Sequence, residues 1–277
     1  MTRSSSSTPS AGSASLRASC AGGPLIGQPA ASTALTNPTG VSFAPDGSIV
    51  VAANGNGRVV RVRSDGVLDN VAGNGINCNS IVGVVADDTP VQDVVRVVVD
   101  DRGVAFFATT AGVFNVDGDG RLQQQLRTDC NPARITMFNG TQRASALAVD
   151  PVGGRVLLGF FTAFANCTDA TFAGATTQIV PLDDAGVRAP ALFSTAKALR
   201  SVAVHPRDGA AFVVAAPADN SPLADHRLFE VDLDDGSSVD VTDHLGGAVP
   251  WAAAFDNDGV LYVLDRQNGR LIAWRPR

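Results

Sequence analysis

Short apolar runs separated by turn residues recur along most of the chain. The stretch 250–277 reads PWAAAFDNDGVLYVLDRQNGRLIAWRPR, with three apolar runs separated by Asp258-Gly259 and by residues 266–269. Both separators are typical of tight turns and not of helices. The pattern therefore predicts an antiparallel β-meander. Related stretches occur upstream, at 41–66, 97–120, 147–161 and 202–214.

These stretches repeat at a regular distance. When each is aligned on the glycine of its first hairpin, the spacings are 56, 50, 56 and 50 residues, for Gly47, Gly103, Gly153, Gly209 and Gly259. The period is slightly longer than the ~40–50 residues of typical propeller blades. We therefore predict an all-β propeller of four-stranded antiparallel blades, with strands named a to d. Five units are counted, and six blades are the alternative. The last unit lacks its fourth strand.

The N-terminal sequence suggests how such a ring closes. Residues 1–15 are rich in Ser, Thr, Gly and Ala, a composition that predicts a disordered tail. The stretch 16–23, LRASCAGG, resembles the outermost strand of the first repeat, VLDNVAGNG. We therefore expect residues 16–22 to supply the missing outer strand beside 270–275, so that 16–277 forms one closed domain.

The charge composition supports a turn-rich chain and excludes some partners. Glu230 is the only Glu and Lys197 the only Lys, so almost all charge comes from Asp and Arg. Asp favours tight turns, whereas Glu and Lys favour helices. The net charge of −6 argues against nucleic acid. No apolar run approaches the ~20 residues of a membrane-spanning helix. We therefore expect neither a nucleic-acid partner nor a membrane-spanning helix. The sequence does not determine the oligomeric state.

Cysteines and glycosylation sequences bear on the compartment. Four cysteines occur without a CxxC pair, and Asn139 and Asn166 begin Asn-x-Thr sequons. These features favour an extracellular or surface setting. The N-terminus, however, lacks the apolar stretch of a secretory signal, so a cytoplasmic location stays open as the alternative.

Two stretches carry a family resemblance. GVSFAPDGSIVVAANGNGRVVRVRSDG and AAFDNDGVLYVLDRQNGRLIAW resemble the NHL-repeat β-propellers, which share an Asp-Gly hairpin and an Asn-x-Arg corner. The corners here are Asn56-Gly57-Arg58 and Asn268-Gly269-Arg270. This resemblance implies a propeller, most often of six blades. More distantly, the chain resembles propeller lactonases and gluconolactonases, which implies a divalent cation held by Glu, Asn and Asp. Glu230 falls in strand c of blade 4, away from the channel, which argues against that set.

The propeller topology predicts two different faces. The linkers between blades and the connections from strand b to strand c open on one face, here called the loop face. The a–b and c–d hairpins open on the other, the hairpin face. The long irregular segments fall on the loop face, at 73–93, 128–143, 163–175 and 217–225. Because loops positioned by a rigid scaffold usually carry function, we expect the site there.

Cys130 and Cys167 are predicted to lie near each other on the loop face. They are therefore candidates for a disulfide, with free or differently paired thiols as the alternative, because spacing alone does not determine connectivity.

One group of residues is a candidate ligand site. Four side chains are predicted at the starts of inner strands, around the channel mouth: Arg96, Arg143, Arg200 and Trp251. Guanidinium groups beside an aromatic ring suit an anionic or carbohydrate ligand. In the alternative interpretation, the arginines pair with linker acids such as Asp93 and Asp129.

No catalytic residue, metal site or cofactor is predicted from the remaining motifs. The sequences Asp256-Asn257-Asp258-Gly259 and Asp117-Gly118-Asp119-Gly120 resemble the start of a calcium loop but lack its terminal Glu, and both fall at predicted hairpins. His205 is predicted to be a turn residue, and His226 and His244 surface residues.

Three functions fit these observations. The preferred hypothesis is a non-enzymatic binding or assembly module whose loop face contacts a protein, glycan or surface partner. The first alternative is a lactonase-like or other hydrolase with a divergent site at the channel mouth. The second is a structural component of a larger particle or envelope.

Overall fold

The protein is a β-propeller of five antiparallel sheets. The computed structural model describes residues 25–76, 85–91, 93–109, 112–125, 146–162, 176–182, 191–195, 197–217 and 225–276. Nineteen strands lie in these ranges, together with short 3₁₀ turns. The predicted fold class is confirmed. No helix in the described ranges is long and apolar enough to span a membrane.

The first three blades each contain four strands. Blade 1 contains β1 (Pro38–Phe43), β2 (Ile49–Ala53), β3 (Arg58–Val62) and β4 (Leu68–Ala72). Blade 2 contains β5 (Arg96–Val99), β6 (Ala105–Thr109), β7 (Gly112–Val116) and β8 (Leu122–Gln124). Blade 3 contains β9 (Ala146–Asp150), β10 (Arg155–Thr162), β11 (Thr176–Leu182) and β12 (Phe193–Thr195).

Blade 4 contains four strands, and the described part of blade 5 contains three, because its last unit has no fourth strand of its own, as predicted. Blade 4 contains β13 (Ala198–Val204), β14 (Ala211–Ala216), β15 (Arg227–Val231) and β16 (Ser238–Asp240). Blade 5 contains β17 (Pro250–Phe255), β18 (Leu261–Asp265) and β19 (Arg270–Trp274). The 3₁₀ turns span Ala30–Ser32, Asn54–Asn56, Ala86–Asp88 and Thr242–Leu245.

The Asp-Gly sequences form the hairpins for which they were predicted. In blade 5 the Asp256 carboxylate accepts the backbone N–H groups of Asp258 (3.0 Å) and Val260 (2.8 Å). Gly259 adopts φ = +78°, a left-handed conformation that suits glycine. The Asp117 carboxylate in blade 2 accepts backbone N–H groups in the same way. These carboxylates therefore stabilise turns.

Alternating side chains on each blade form the apolar cores between blades. Val50 and Ala52 of β2 face blade 2, whereas Val51 and Ala53 face the other side of the sheet. One core lies between each pair of consecutive blades, and consecutive inner strands pack against each other from β1 to β17. No comparable packing joins β17 to β1 among the described strands. The described part of the wheel is therefore open between blade 5 and blade 1.

The predicted tail and the predicted closing strand, at 1–15 and 16–22, lie outside the described residues. The residues that follow them run along blade 1. The Gly27 N–H donates to the Leu68 carbonyl at 2.8 Å, and the side chain of Leu25 is buried against that blade. This segment therefore covers the outer part of the blade 1 face that points away from blade 2.

Candidate functional site

The inner strands β1, β13 and β17 each carry a β-bulge at the loop face. In β13 the pairing with β14 shifts between Leu199 and Ser201, and in β17 the pairing with β18 shifts between Pro250 and Ala252. The extra residues in β13 and β17 are Arg200 and Trp251. A bulge turns the side chain of its extra residue away from the regular alternation, and bulges are frequent beside functional sites. Ser201 Oγ bonds the Ala253 backbone N–H (3.2 Å) and carbonyl (3.1 Å), which holds the two inner strands together.

Basic and aromatic side chains meet around Trp251. The guanidinium carbon of Arg266 lies 3.8 Å from the centroid of the indole ring, and that of Arg200 lies 4.9 Å from it. The imidazole of His226 stacks on the same indole, with centroids 5.6 Å apart and planes at 19°. Guanidinium groups over an indole face form cation–π contacts. We call these four residues the Trp251 cluster and include Lys197, because its charge acts on His226.

His226 is held in a single orientation. Its Nδ1 lies 3.0 Å from the carbonyl oxygen of Pro250. A carbonyl oxygen only accepts, so Nδ1 carries the proton, and the neutral imidazole has its free lone pair on Nε2. The prediction that His226 is a surface residue is wrong: its side chain is 2% exposed. It is buried because the start of β15 packs against the first residues of β17.

Burial and nearby cations keep His226 uncharged. Burial lowers its pKa most, and the positive charges of Arg200, Arg266 and Lys197 lower it further. The hydrogen bond to Pro250 acts in the opposite direction and does not offset the decrease. The imidazole is therefore a neutral base at pH 7.

The Trp251 cluster concentrates positive charge. Burial lowers the pKa of Arg200, and the charge of Arg266 lowers it further. Two guanidinium groups that repel each other beside an aromatic ring create a local positive potential, which favours an anionic ligand or an anionic reaction intermediate.

Arg266 is positioned by the turn that follows β18. Its backbone N–H donates to the Val249 carbonyl at 3.0 Å. The preceding residue, Asp265, is buried, and its carboxylate accepts the Val249 N–H (3.2 Å), the Asn268 side-chain amide (2.7 Å) and Arg270 Nε (2.9 Å). These bonds tie the turn after β18 to the start of β17, where Trp251 lies.

Among the described residues, part of the predicted arginine ring assembles. The structure brings Arg200 and Trp251 together, as predicted, whereas Arg96 lies apart in blade 2. The guanidinium of Arg96 donates to the carbonyl oxygens of Thr39 (3.2 Å) and Val95 (2.9 Å). Arg96 falls one residue after the position that Arg200 and Trp251 occupy in their blades, so the strand alternation directs it elsewhere. Arg143 lies outside the described residues.

Sequence reasoning missed three members of the cluster: Lys197, His226 and Arg266. Each lies at a strand end on the loop face, because Lys197 precedes β13, His226 precedes β15 and Arg266 follows β18. Their shared position at strand ends on the loop face is the sequence signal that points to these residues. A histidine considered without its flanking strands does not show this position.

The cation set implied by the gluconolactonase resemblance does not fit this chain. Glu230 lies on β15, where it pairs with Phe212 and Val239. It lines a groove of about 390 Å³ on the hairpin face with Asp150 and Asp208, and so lies on the opposite side from the Trp251 cluster. Within the described ranges, no group of three or more His, Cys, Asp or Glu residues is arranged to hold a metal ion. The disulfide candidates, Cys130 and Cys167, lie outside those ranges.

Comparisons with known proteins establish the fold. No protein-family model matches the chain, and no curated protein matches it in sequence. Many solved structures resemble it. A putative oxidoreductase (glucose dehydrogenase) from Thermus thermophilus is 16% identical, with a TM-score of 0.55 over 91% of this chain and 80% of that one. A gluconolactonase from Xanthomonas campestris is 15% identical, with a TM-score of 0.51 over 87% and 76% of the two chains. A chain of a nidogen/laminin complex is 14% identical, with a TM-score of 0.58 over 87% and 76%.

These likenesses contradict the preference for a non-enzymatic module. Gluconolactonase and glucose dehydrogenase are names of enzymes, and a further neighbour is also described as a putative gluconolactonase. The hydrolase alternative agrees with these neighbours better than the binding module does. At such low identity the likeness shows the propeller fold, so any activity has to be argued from the residues. The expected protein or glycan partner stays a prediction.

Proposed function

We propose that this protein is a hydrolase of lactones or related carboxylic esters, with its active site at the Trp251 cluster. The observation that supports this proposal most strongly is the state of His226. Its Nδ1 is committed to the Pro250 carbonyl, and its pKa is lowered, so Nε2 is an unprotonated base at neutral pH. A base oriented by a second group is the usual arrangement for general base catalysis.

The proposed reaction needs one base and local positive charge. Nε2 of His226 takes a proton from water as the water oxygen bonds to the carbonyl carbon. The carbonyl π electrons move to the carbonyl oxygen. Collapse of this intermediate breaks the bond to the ring oxygen, which takes the proton back from Nε2. The products are the carboxylic acid and the alcohol of one hydroxy acid.

The two arginines suit the charge that develops during this reaction. The carbonyl oxygen becomes negative in the tetrahedral intermediate, and Arg200 and Arg266 lie next to the same indole as His226. Positive groups already positioned where negative charge develops stabilise a transition state. The indole of Trp251 holds these three side chains close to one another.

The finer family assignment is part of this proposal. We infer an NHL-like propeller from two corners of identical sequence, Asn-Gly-Arg, in blades 1 and 5. Gly57 (φ +59°) and Gly269 (φ +60°) adopt the same left-handed conformation, and the arginine after each begins strand c of its blade. Equal sequence and equal backbone at two corners indicate a common repeat.

A lactone and ester panel tests the proposed activity. The purified chain is incubated with five- and six-membered lactones and with aryl esters, and acid release is followed. We expect turnover, and we expect His226→Gln to lower kcat/KM by about 10²–10⁴-fold, the usual contribution of a general base. His244→Gln is the matched control, because His244 is exposed on the 3₁₀ turn Thr242–Leu245.

Two outcomes would reject the proposal. One is the absence of turnover with every lactone and ester. The other is full activity in His226→Gln. Because His226 is buried, the melting temperature of the variant is measured alongside its activity, and rescue of an inactive but folded variant by added imidazole would identify the lost base.

A further inference from the structure

The four interfaces between consecutive blades share one design. Each blade presents a leading face to the blade before it and a trailing face to the blade after it. In the first interface, Val97 and Val99 on the inner strand of blade 2 are buried on the leading face, against Val50 and Ala52 on the trailing face of blade 1. The equivalent inner-strand positions of blades 3, 4 and 5 also pack into the preceding interface.

Blade 1 has the same leading face, but no described strand packs on its inner part. Val41 and Phe43 occupy the positions of Val97 and Val99, as the register shows: Val41 pairs with Val51 just as Val97 pairs with Phe107. Phe43 is nevertheless 71% exposed, whereas Val99 is 6% exposed. A phenylalanine at such a position exposes a large apolar surface to water.

Blade 5 likewise has no described blade packed against its trailing face. Leu264 pairs with Ala252 and Leu271, as Val214 pairs with Ser201 and Leu228 in blade 4. Leu271 is 62% exposed, whereas Leu228, its equivalent, is 0% exposed. Leu264 is also exposed. The two open faces of the described wheel are thus one leading face and one trailing face.

We propose that these two faces bind each other between copies of this chain. The trailing face of blade 5 in one copy would pack on the leading face of blade 1 in the next. The argument is the repeat itself: four interfaces within the chain already join a trailing face to a leading face through these positions. Exposed apolar patches of this kind mark protein interfaces.

The proposed contact is heterologous, because the two partners use different surfaces. Such a contact leaves one face free at each end of the assembly, so it adds copies head to tail. Its strength depends on the side chains at its centre, where large apolar residues contribute most. Phe43 and Leu271 are the most exposed large apolar residues on their respective faces.

Sedimentation equilibrium of the full chain over a wide concentration range tests this contact. We expect the weight-average mass to rise at least about twofold above that of one chain. Phe43→Asp and Leu271→Asp each disable one face and should each remain monomeric. Both positions are exposed, so neither substitution should unfold the chain. Val239→Asp is the matched control, because Val239 is 64% exposed on the outermost strand of blade 4 and should not change the association.

Mixing the two variants distinguishes this geometry from others. The Phe43→Asp protein keeps its blade 5 face, and the Leu271→Asp protein keeps its blade 1 face, so the mixture should form a dimer that grows no further. A wild-type chain that is monomeric at all concentrations would overturn the proposal. So would association of wild type that both variants retain. A chain truncated before Leu25 that associates while the full chain does not would show that residues 1–24 cover these faces instead.

Discussion

The carboxylate of Asp265 lies 2.9 Å from Nε of Arg270 and is completely buried, at the end of strand β18. Its other acceptor bonds reach the backbone of Val249 and the amide of Asn268. Val249 precedes strand β17, whereas Asn268 and Arg270 follow Arg266. These bonds therefore connect the turn that carries Arg266 to the start of β17. Asp265 is therefore a positioning residue for the Trp251 cluster, and it acts through hydrogen bonds to Val249, Asn268 and Arg270.

Replacing Asp265 with alanine should lower the melting temperature, because it leaves buried donors of Val249 and Asn268 without their acceptor. The control is Asp258→Ala, which removes a highly exposed carboxylate from the neighbouring hairpin. We expect a clear decrease for Asp265→Ala and almost none for Asp258→Ala, measured by thermal unfolding. Equal melting temperatures for the two variants would contradict the assigned role.

The same residue should contribute to acid unfolding. The hydrogen bond from Asn268 lowers the pKa of Asp265 most, and the bonds from Val249 and Arg270 lower it further, well below the ordinary value. The folded pKa is therefore below the unfolded pKa, so this stabilisation is complete above about pH 4 and is lost as the pH falls below it. Urea unfolding between neutral and acid pH should show a shallower loss of stability for Asp265→Asn.

His226 should make stability depend on pH in a higher range. Burial holds its folded pKa below the unfolded value of about 6.5. Below that pH the unfolded chain binds a proton that the folded chain does not, so the free energy of unfolding decreases as the pH falls from about 6.5. Urea unfolding of wild type and His226→Gln should show this slope in wild type alone. An identical slope in both proteins would argue against a neutral His226.

Arg266→Gln should raise the pKa of His226, because it removes one of the positive charges that disfavour the imidazolium. A proton NMR titration of the histidine ring protons measures this change. Arg207→Gln is the control, because Arg207 is exposed and faces Asp258 on the hairpin side. If the pKa of His226 is the same in the Arg266→Gln and Arg207→Gln variants, Arg266 does not act on the imidazole.

Two equivalent leucines should respond very differently to truncation. Leu228 is buried between blades 4 and 5, whereas Leu271 occupies the same position on the open face of blade 5. Leu228→Ala should cost about 2–5 kcal/mol of unfolding free energy, the range for buried leucines. Leu271→Ala should change it by no more than about 0.5 kcal/mol in dilute solution, as expected of an exposed position. Chemical denaturation of both variants under dilute conditions measures the difference.

Local sequence determined the strands, the turns and the repeat. Apolar runs such as those of β2 and β14 alternate between two buried faces, and Asp-Gly pairs supply the carboxylate and the left-handed glycine that a hairpin needs. Both properties depend on residues close together in the chain. The order of strands in each blade follows from them, because a tight hairpin joins only antiparallel neighbours.

Tertiary structure decided the site and the open interface. Arg200 and Trp251 could be placed at strand starts from the sequence, but their contact with His226 and Arg266 depends on bulges and on packing between two blades. The strand register assigns Phe43 and Val99 to equivalent positions. Val99 is buried because blade 1 packs against it, whereas no described blade packs against Phe43, which is exposed. Burial is a property of what packs against a side chain, which the side chain's own sequence neighbours do not specify.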